Sequence, residues 1–150
     1  MTAQTGRAPS SQEAVLEDVL RIWAEKIRLH EPDDVAAAFA PDAVFQGSDP
    51  SYAVGRGGVA AYYDKQPRGL APEHRVREIR SLGERAFVAY VDVDFNHADG
   101  HVNRTHLTLV LVQADRWLIQ QYHVSEVVER TASTEADSPV VSYGRDLARG

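Results

Sequence analysis

Acidic, basic and hydroxyl side chains recur at two-residue steps in the second half of this sequence. Asp92 and Asp94 stand in "VDVDF", Arg104 and His106 in "NRTHLTL", and Gln121, His123 and Ser125 in "WLIQQYHVSEV". A step of two puts side chains on one face of an extended strand. A carboxylate beside an imidazole raises its pKa and orients the ring, which prepares a general acid or base. His123 is the leading candidate for that role, or for hydrogen-bond donation to a carbonyl, with His106 and Asp92 orienting it. A structural histidine bridging Asp92 or Ser125 is the alternative. Arg104 with Asp94 either receives an anionic or enolate-like oxygen or forms an ordinary ion pair.

Two turns decide which of these residues meet. "HADGH" suits a three-residue loop, with Gly100 in the left-handed position of a type I turn plus bulge. His97 then pairs with His101, Asp94 with Arg104, Asp92 with His106 and Tyr90 with Thr108. A two-residue Asp-Gly turn would instead set Val93 opposite His106, a poorer match of polarity. "QADR" is most simply a two-residue loop at Ala114 and Asp115. It pairs Val112 with Trp117, Thr108 with Gln121, His106 with His123, and Arg104 with Ser125.

Two faces result. One is apolar: Phe87, Ala89, Val91, Val93, Leu107, Leu109, Leu111, Leu118, Tyr122 and Val124. The other begins apolar at Val88, Val110, Trp117 and Ile119, and passes through Tyr90, Thr108 and Gln121. It ends in the rows Asp92–His106–His123 and Asp94–Arg104–Ser125. Such a gradient suits a pocket with an apolar floor. The same rows also suit a solvated sheet face whose apolar reverse is the core.

The elements that would position these rows follow from periodicity. Val15, Leu16, Val19, Leu20, Trp23 and Ile27 mark an amphipathic helix from about Gln12 to His30. "DDVAAAF" after Pro32 is a short helix, and "DAVFQG" a short strand. A third helix runs from about Arg56 to Lys65, and strands follow near 74–82, 85–97, 103–113 and 116–130. The layout is α+β, a curved antiparallel sheet with about three helices on one face. Residues 1–11 form a polar lead-in, 12–130 the domain, and 131–150 a polar tail whose "VVSY" could dock on a sheet edge.

The chain has 150 residues, 43% hydrophobic and 25% charged, with a formal net charge of -6. This fits one soluble domain without a basic stripe, so neither nucleic acid nor membrane is an expected partner. The absence of cysteine removes disulfides and thiolate chemistry. The amino terminus lacks an apolar signal core, which points to the cytoplasm. Neither a dinucleotide fingerprint nor a metal-ligand set is present, so neither cofactor nor metal is expected. His97, His101 and His106 crowd one turn, but His106 lies along a different row.

"HEPDDVAAAFAPDAVFQGSDPSYAVGRGGVAAYY", an early helix with Trp23, and the ending "RWLIQQYHVSEV" together resemble the nuclear-transport-factor-2-like superfamily, and within it SnoaL-like proteins of polyketide and enediyne biosynthesis. The resemblance covers about residues 12–130. It implies a cone-shaped fold, a cystatin-like sheet wrapped around helices, with the His/Ser end of the last strand facing inward. It also implies homodimerisation through the outer, apolar face. Tyr62, Tyr63, Tyr52, Trp23 and Phe45 become candidate cavity walls, with plain core packing the alternative for Trp23 and Phe45, and Tyr90, Asp94, Arg104, Thr108, Gln121 and Ser125 are further contacts. The ketosteroid isomerase pattern puts an aspartate base just after the first strand, where this sequence has Gly47, and an oxyanion tyrosine where it has Trp23. An Asp-Arg-Asp epoxide hydrolase set is equally incomplete.

Two functions follow from the resemblance. One is cofactor-free acid/base chemistry, of cyclase, isomerase or dehydratase type, on a hydrophobic polyketide- or enediyne-like molecule. The other is a non-catalytic, chaperone-like protein that holds such an intermediate or docks to a pathway partner.

Overall fold

The computed structural model describes residues 10–128. The elements run α1 (Ser10–Arg28), α2 (Pro32–Ala36), β1 (Phe39–Gln46), β2 (Ala53–Val54), α3 (Arg56–Asp64), β3 (Ala71–Ser81), β4 (Ala86–Asn96), β5 (Val102–Gln113) and β6 (Trp117–Glu126). The expected α+β layout is present, with β3 beginning earlier than the periodicity indicated. The expected tail docking and most of the lead-in lie outside the described residues. Among the described residues no helix is long and apolar enough to cross a membrane.

One six-stranded sheet has the order β2-β1-β6-β5-β4-β3. β3 through β6 form an antiparallel meander. β1 joins it parallel to β6, with Phe39 opposite Ile119 and Phe45 opposite Tyr122. α1 presents Leu16, Leu20, Trp23 and Ile27 to the sheet at helical spacing. These side chains belong to the same buried cluster as Phe87, Val91, Leu107, Leu109 and Leu111.

The β4–β5 hairpin takes the expected three-residue form. Gly100 has φ 99°, and the His97 amide donates to the His101 carbonyl at 2.9 Å. Asp92 pairs with His106, Asp94 with Arg104 and Tyr90 with Thr108. A side chain at position 100 would be strained in that left-handed conformation, whereas glycine is not.

The β5–β6 register differs from the expectation in two places. The loop contains three residues, so Trp117 pairs with Gln113 rather than Val112. Beyond Ile119 a bulge at Gln120 shifts the ladder by one more residue, and Gln121 pairs with Val110, His123 with Thr108 and Ser125 with His106. Each one-residue slip turns a strand over. Trp117 and Ile119 therefore face the core, where Trp117 meets Phe87 at 5.3 Å between ring centroids. Gln121, His123 and Ser125 face the other way and are exposed. The expected rows Asp92–His106–His123 and Asp94–Arg104–Ser125 do not form.

The faces are also reversed relative to the expectation. The wholly apolar face is the inner one: Val91, Val93, Leu107, Leu109 and Leu111 are completely buried within this chain. That face is consumed by α1 and β1 side chains and cannot serve as a dimer surface. The polar rows look outward.

Candidate active site

The inner face carries its own gradient of polarity. Along β4, Phe87, Ala89, Val91, Val93 and Phe95 lead to His97. Along β5, Leu111, Leu109 and Leu107 lead to Thr105 and Asn103. Along β6, Tyr122 and Val124 lead to Glu126. Each strand thus becomes polar at the end of the sheet that carries the β4–β5 hairpin. A cavity of about 50 Å3 opens there, lined by Phe95, His97, Asn103, Thr105, Tyr122, Val124 and Glu126 from the sheet. Tyr62, Tyr63 and Gln66 line it from α3 and the turn that follows, with Ser48 and Leu70.

Aromatic rings set its floor. Phe45 stacks on Tyr122 at 4.5 Å with 17° between planes, and Tyr62 and Tyr63 meet Phe45 edge-on. Trp23 lies behind them, 6.1 Å from both Phe95 and Tyr122. Its Nε1 donates to the Tyr63 hydroxyl at 3.2 Å. Burial raises the Tyr63 pKa far above the ordinary phenol value; hydrogen bonds from Tyr122 and Trp23 only partly oppose it. Burial likewise raises Tyr122, reinforced by Tyr63. Two neutral phenols therefore sit in a low-dielectric corner of the cavity.

His97 stands at the rim. Its Nε2 lies 2.6 Å from Asn103 Oδ1, an atom that only accepts, so the neutral ring carries its proton on Nε2. Nδ1 then holds the lone pair. The ring is held in plane by His101, stacked at 3.7 Å with 14° between planes. His101 Nδ1 is in turn 2.7 Å from Asp99 Oδ1. The His101 backbone amide, followed by its ring, holds the Asp99 carboxyl below the ordinary range.

Tyr62 occupies space that a larger residue at position 47 would need. A β-carbon there would lie 2.4 Å from Tyr62 Cζ. The Tyr62 hydroxyl accepts a hydrogen bond from the Ser48 amide at 2.9 Å, which ties α3 to the end of β1. Where the ketosteroid isomerase pattern places an aspartate, this chain has a glycine with a phenol ring lying over it.

Of the residues singled out in the sequence, Tyr62 and Tyr63 line this cavity. Trp23 and Phe45 are buried behind it. Tyr52 is 66% exposed and lies apart from it. Asp92 and His106 do meet, with Oδ1 and Nδ1 2.9 Å apart, but on the outer face. There Arg77 also binds Asp92 at 2.8 Å, and Tyr90 lies 5.7 Å from the His106 ring. These bonds, from His106 first and then Arg77, lower the Asp92 pKa. Asp94 takes Arg75 at 3.4 Å. His123, Thr108, Gln121, Ser125 and Arg104 are exposed. Sequence reasoning missed His97, Asn103, Thr105, Phe95, Tyr122 and Glu126. The signal available was the inner-face step of two carried past the last leucine of each strand.

The fold and this geometry can be set beside known proteins. Residues 16–129 match the SnoaL-like domain model. A cystatin-like domain of unknown function from Nostoc punctiforme superposes with a TM-score of 0.72 at 16% identity, covering 95% of this chain and 100% of that one. A ketosteroid isomerase-like protein from Erwinia carotovora atroseptica gives 0.66 at 18% identity, over 77% of this chain and 96% of its own. A scytalone dehydratase-like protein from Novosphingobium aromaticivorans gives 0.66 at 13% identity, over 79% and 85%. No curated protein matches the sequence.

Proposed function

Because the chain belongs to the SnoaL-like domain family, with the nuclear-transport-factor-2-like fold, we propose that it performs cofactor-free acid/base chemistry on a small molecule at the mouth of its cone. The reaction is of cyclase, isomerase or dehydratase type, on a polyketide- or enediyne-like intermediate. One observation carries this reading: an imidazole with its Nδ1 lone pair available shares a cavity with two buried, neutral phenols. With Trp23 donating to the Tyr63 oxygen, the Tyr63 O–H is left to donate to a substrate oxygen. His97 Nδ1 removes or returns a proton beside that oxygen, and the phenol stabilises the charge that develops. A space of about 50 Å3 admits the carbonyl end of a substrate rather than a whole skeleton. The remainder of the molecule lies across the rim at Gln66, Asn103 and Glu126.

The test begins with 2-naphthol, a phenol whose conjugate base mimics an enolate. Its titration should shift the His97, Tyr63 and Tyr122 resonances and leave His123 unmoved. With a pathway intermediate in hand, His97→Gln should lower kcat by about 10²–10⁴-fold. Loss of turnover in His123→Ala and Asp92→Asn, with His97→Gln fully active, would instead place the chemistry on the outer face.

The aromatic floor of the cavity supports a second reading, a protein that retains an intermediate without converting it. Native mass spectrometry then finds a co-purifying ligand that His97→Gln still holds. A homodimer, in either case, would use the polar outer face, whose exposed apolar groups include Tyr90, Val44 and Val102.

A further inference from the structure

α1 carries more apolar surface than its core contacts use. Beside the buried stripe of Leu16, Leu20 and Trp23 runs a second one, Val15, Val19 and Ile22, at the same helical spacing but only partly covered. It faces the half-buried indole of Trp117 across a groove of about 520 Å3, roughly ten times the mouth cavity. The groove lies at the β5–β6 loop, the end of the sheet opposite the mouth, and so is separate from the site proposed above. Its volume falls within the range of small-molecule sites, about 300–1,000 Å3, and its walls are mainly apolar as such sites require.

The charged groups on its lip say what kind of molecule it suits. Asp18 is bound by Arg21. Asp34 and Lys26 face each other at 3.9 Å, and Lys26 also reaches Glu31 at 3.4 Å. Arg116 differs. Among the described residues its hydrogen-bond partner is the Ala37 carbonyl, at 2.7 Å, and no carboxylate. A guanidinium offers five N–H donors in a planar fork that matches a carboxylate. Among the described residues the lip thus holds two acids that already have cations and one cation that has no acid.

We propose that this groove binds an apolar monocarboxylate. The acyl or aryl body lies along Val15, Val19 and Ile22 against the Trp117 ring, and the carboxylate pairs with Arg116. The ligand is recognised by an apolar body of moderate length and a single negative head, and no chemistry is done on it.

Decanoate, kept below its micellar concentration, and the uncharged decanol are the probes. The chain has two tryptophans, so its indole N–H resonances are read directly and assigned with Trp117→Phe. Decanoate should shift the Trp117 indole and leave Trp23 in place. Decanol should bind about tenfold or more weakly, the scale of one charge-assisted pair. Arg116→Gln should abolish that preference, and Ile22→Gln, at a partly exposed helix position, should weaken both probes. Equal affinity for the two probes, shifts confined to Trp23 and the mouth, or an unmoved Trp117 indole would each overturn the proposal. The activity of the His97→Gln variant, read separately, tests the mouth chemistry whichever way these probes bind.

Discussion

Asn103 decides which nitrogen of His97 can act. Its Oδ1 takes the Nε2 proton at 2.6 Å, and the tautomer so fixed leaves Nδ1 basic. Replacing Asn103 by Leu removes the acceptor and frees the ring to exchange tautomers. The ¹⁵N shifts of His97 should show unprotonated Nδ1 in the native chain and a mixture in Asn103→Leu. A native ring protonated on Nδ1 would rule the role out. Tyr63→Phe removes the buried O–H donor without emptying its space, and should cost about 10²–10³-fold in kcat. The tyrosine pair of α3 was legible in the sequence as facing inward, and Trp23 as core, because aromatic residues on helices that must face a sheet have few other places to go. His97 was not. It stands next to a turn, where a histidine is ordinarily exposed, and its place two residues beyond Phe95 on the inner face brings it to the rim.

At the level of elements, the β4–β5 hairpin and the β5–β6 pair show what pattern can and cannot settle. The first has a glycine that its turn demands, and the register read from "HADGH" is the one present. The second has no such marker. "QADR" fits two-residue and three-residue loops alike, and a glutamine at position 120 does not by its type mark a bulge. The apparent change of character along "WLIQQYHVS" is the trace of that bulge: the apolar and polar halves lie on opposite sides of the sheet. Gln120 is the extra residue of the ladder, so removing it should join Ile119 to Gln121 in regular alternation. Tyr122 and Val124 should still lie inside and Gln121, His123 and Ser125 outside, and the deletion variant should keep cooperative unfolding. A deletion variant without native near-ultraviolet circular dichroism would show that the bulge itself is needed to seat the second half of β6. Gly100→Ala should cost about 1–2 kcal/mol in chemical denaturation, because residue 100 sits at φ 99°.

For the whole molecule, the inner sheet face is core, and substitutions there report folding. Leu109 is fully buried, so Leu109→Arg should destabilise by on the order of 4 kcal/mol or more. Calorimetry should register that loss at any protein concentration, unlike the disruption of a dimer. The two buried phenols tie stability to alkaline pH. Their folded pKa values are raised above the ordinary value of 10.0, so unfolded phenols ionise first. Their contribution is complete below about pH 10 and declines above it, and Tyr63→Phe should flatten that decline. Asp92 acts in the opposite sense. Its pKa is lowered, so its contribution is present above the ordinary aspartate range and is lost in acid.

The parallel seam between β1 and β6 also bears on how the chain is made. Phe39 and Phe45 find their strand partners at Ile119 and Tyr122, near the far end of the described chain. During synthesis the first strand therefore emerges with β2 and α3 close behind it but long before β6 exists, so one of its edges stays unpaired. Long-range pairing of this kind slows folding and exposes aggregation-prone surface. The nascent chain has to keep β1 from non-native partners until β6 leaves the ribosome, which makes the last strand the one that closes the cone.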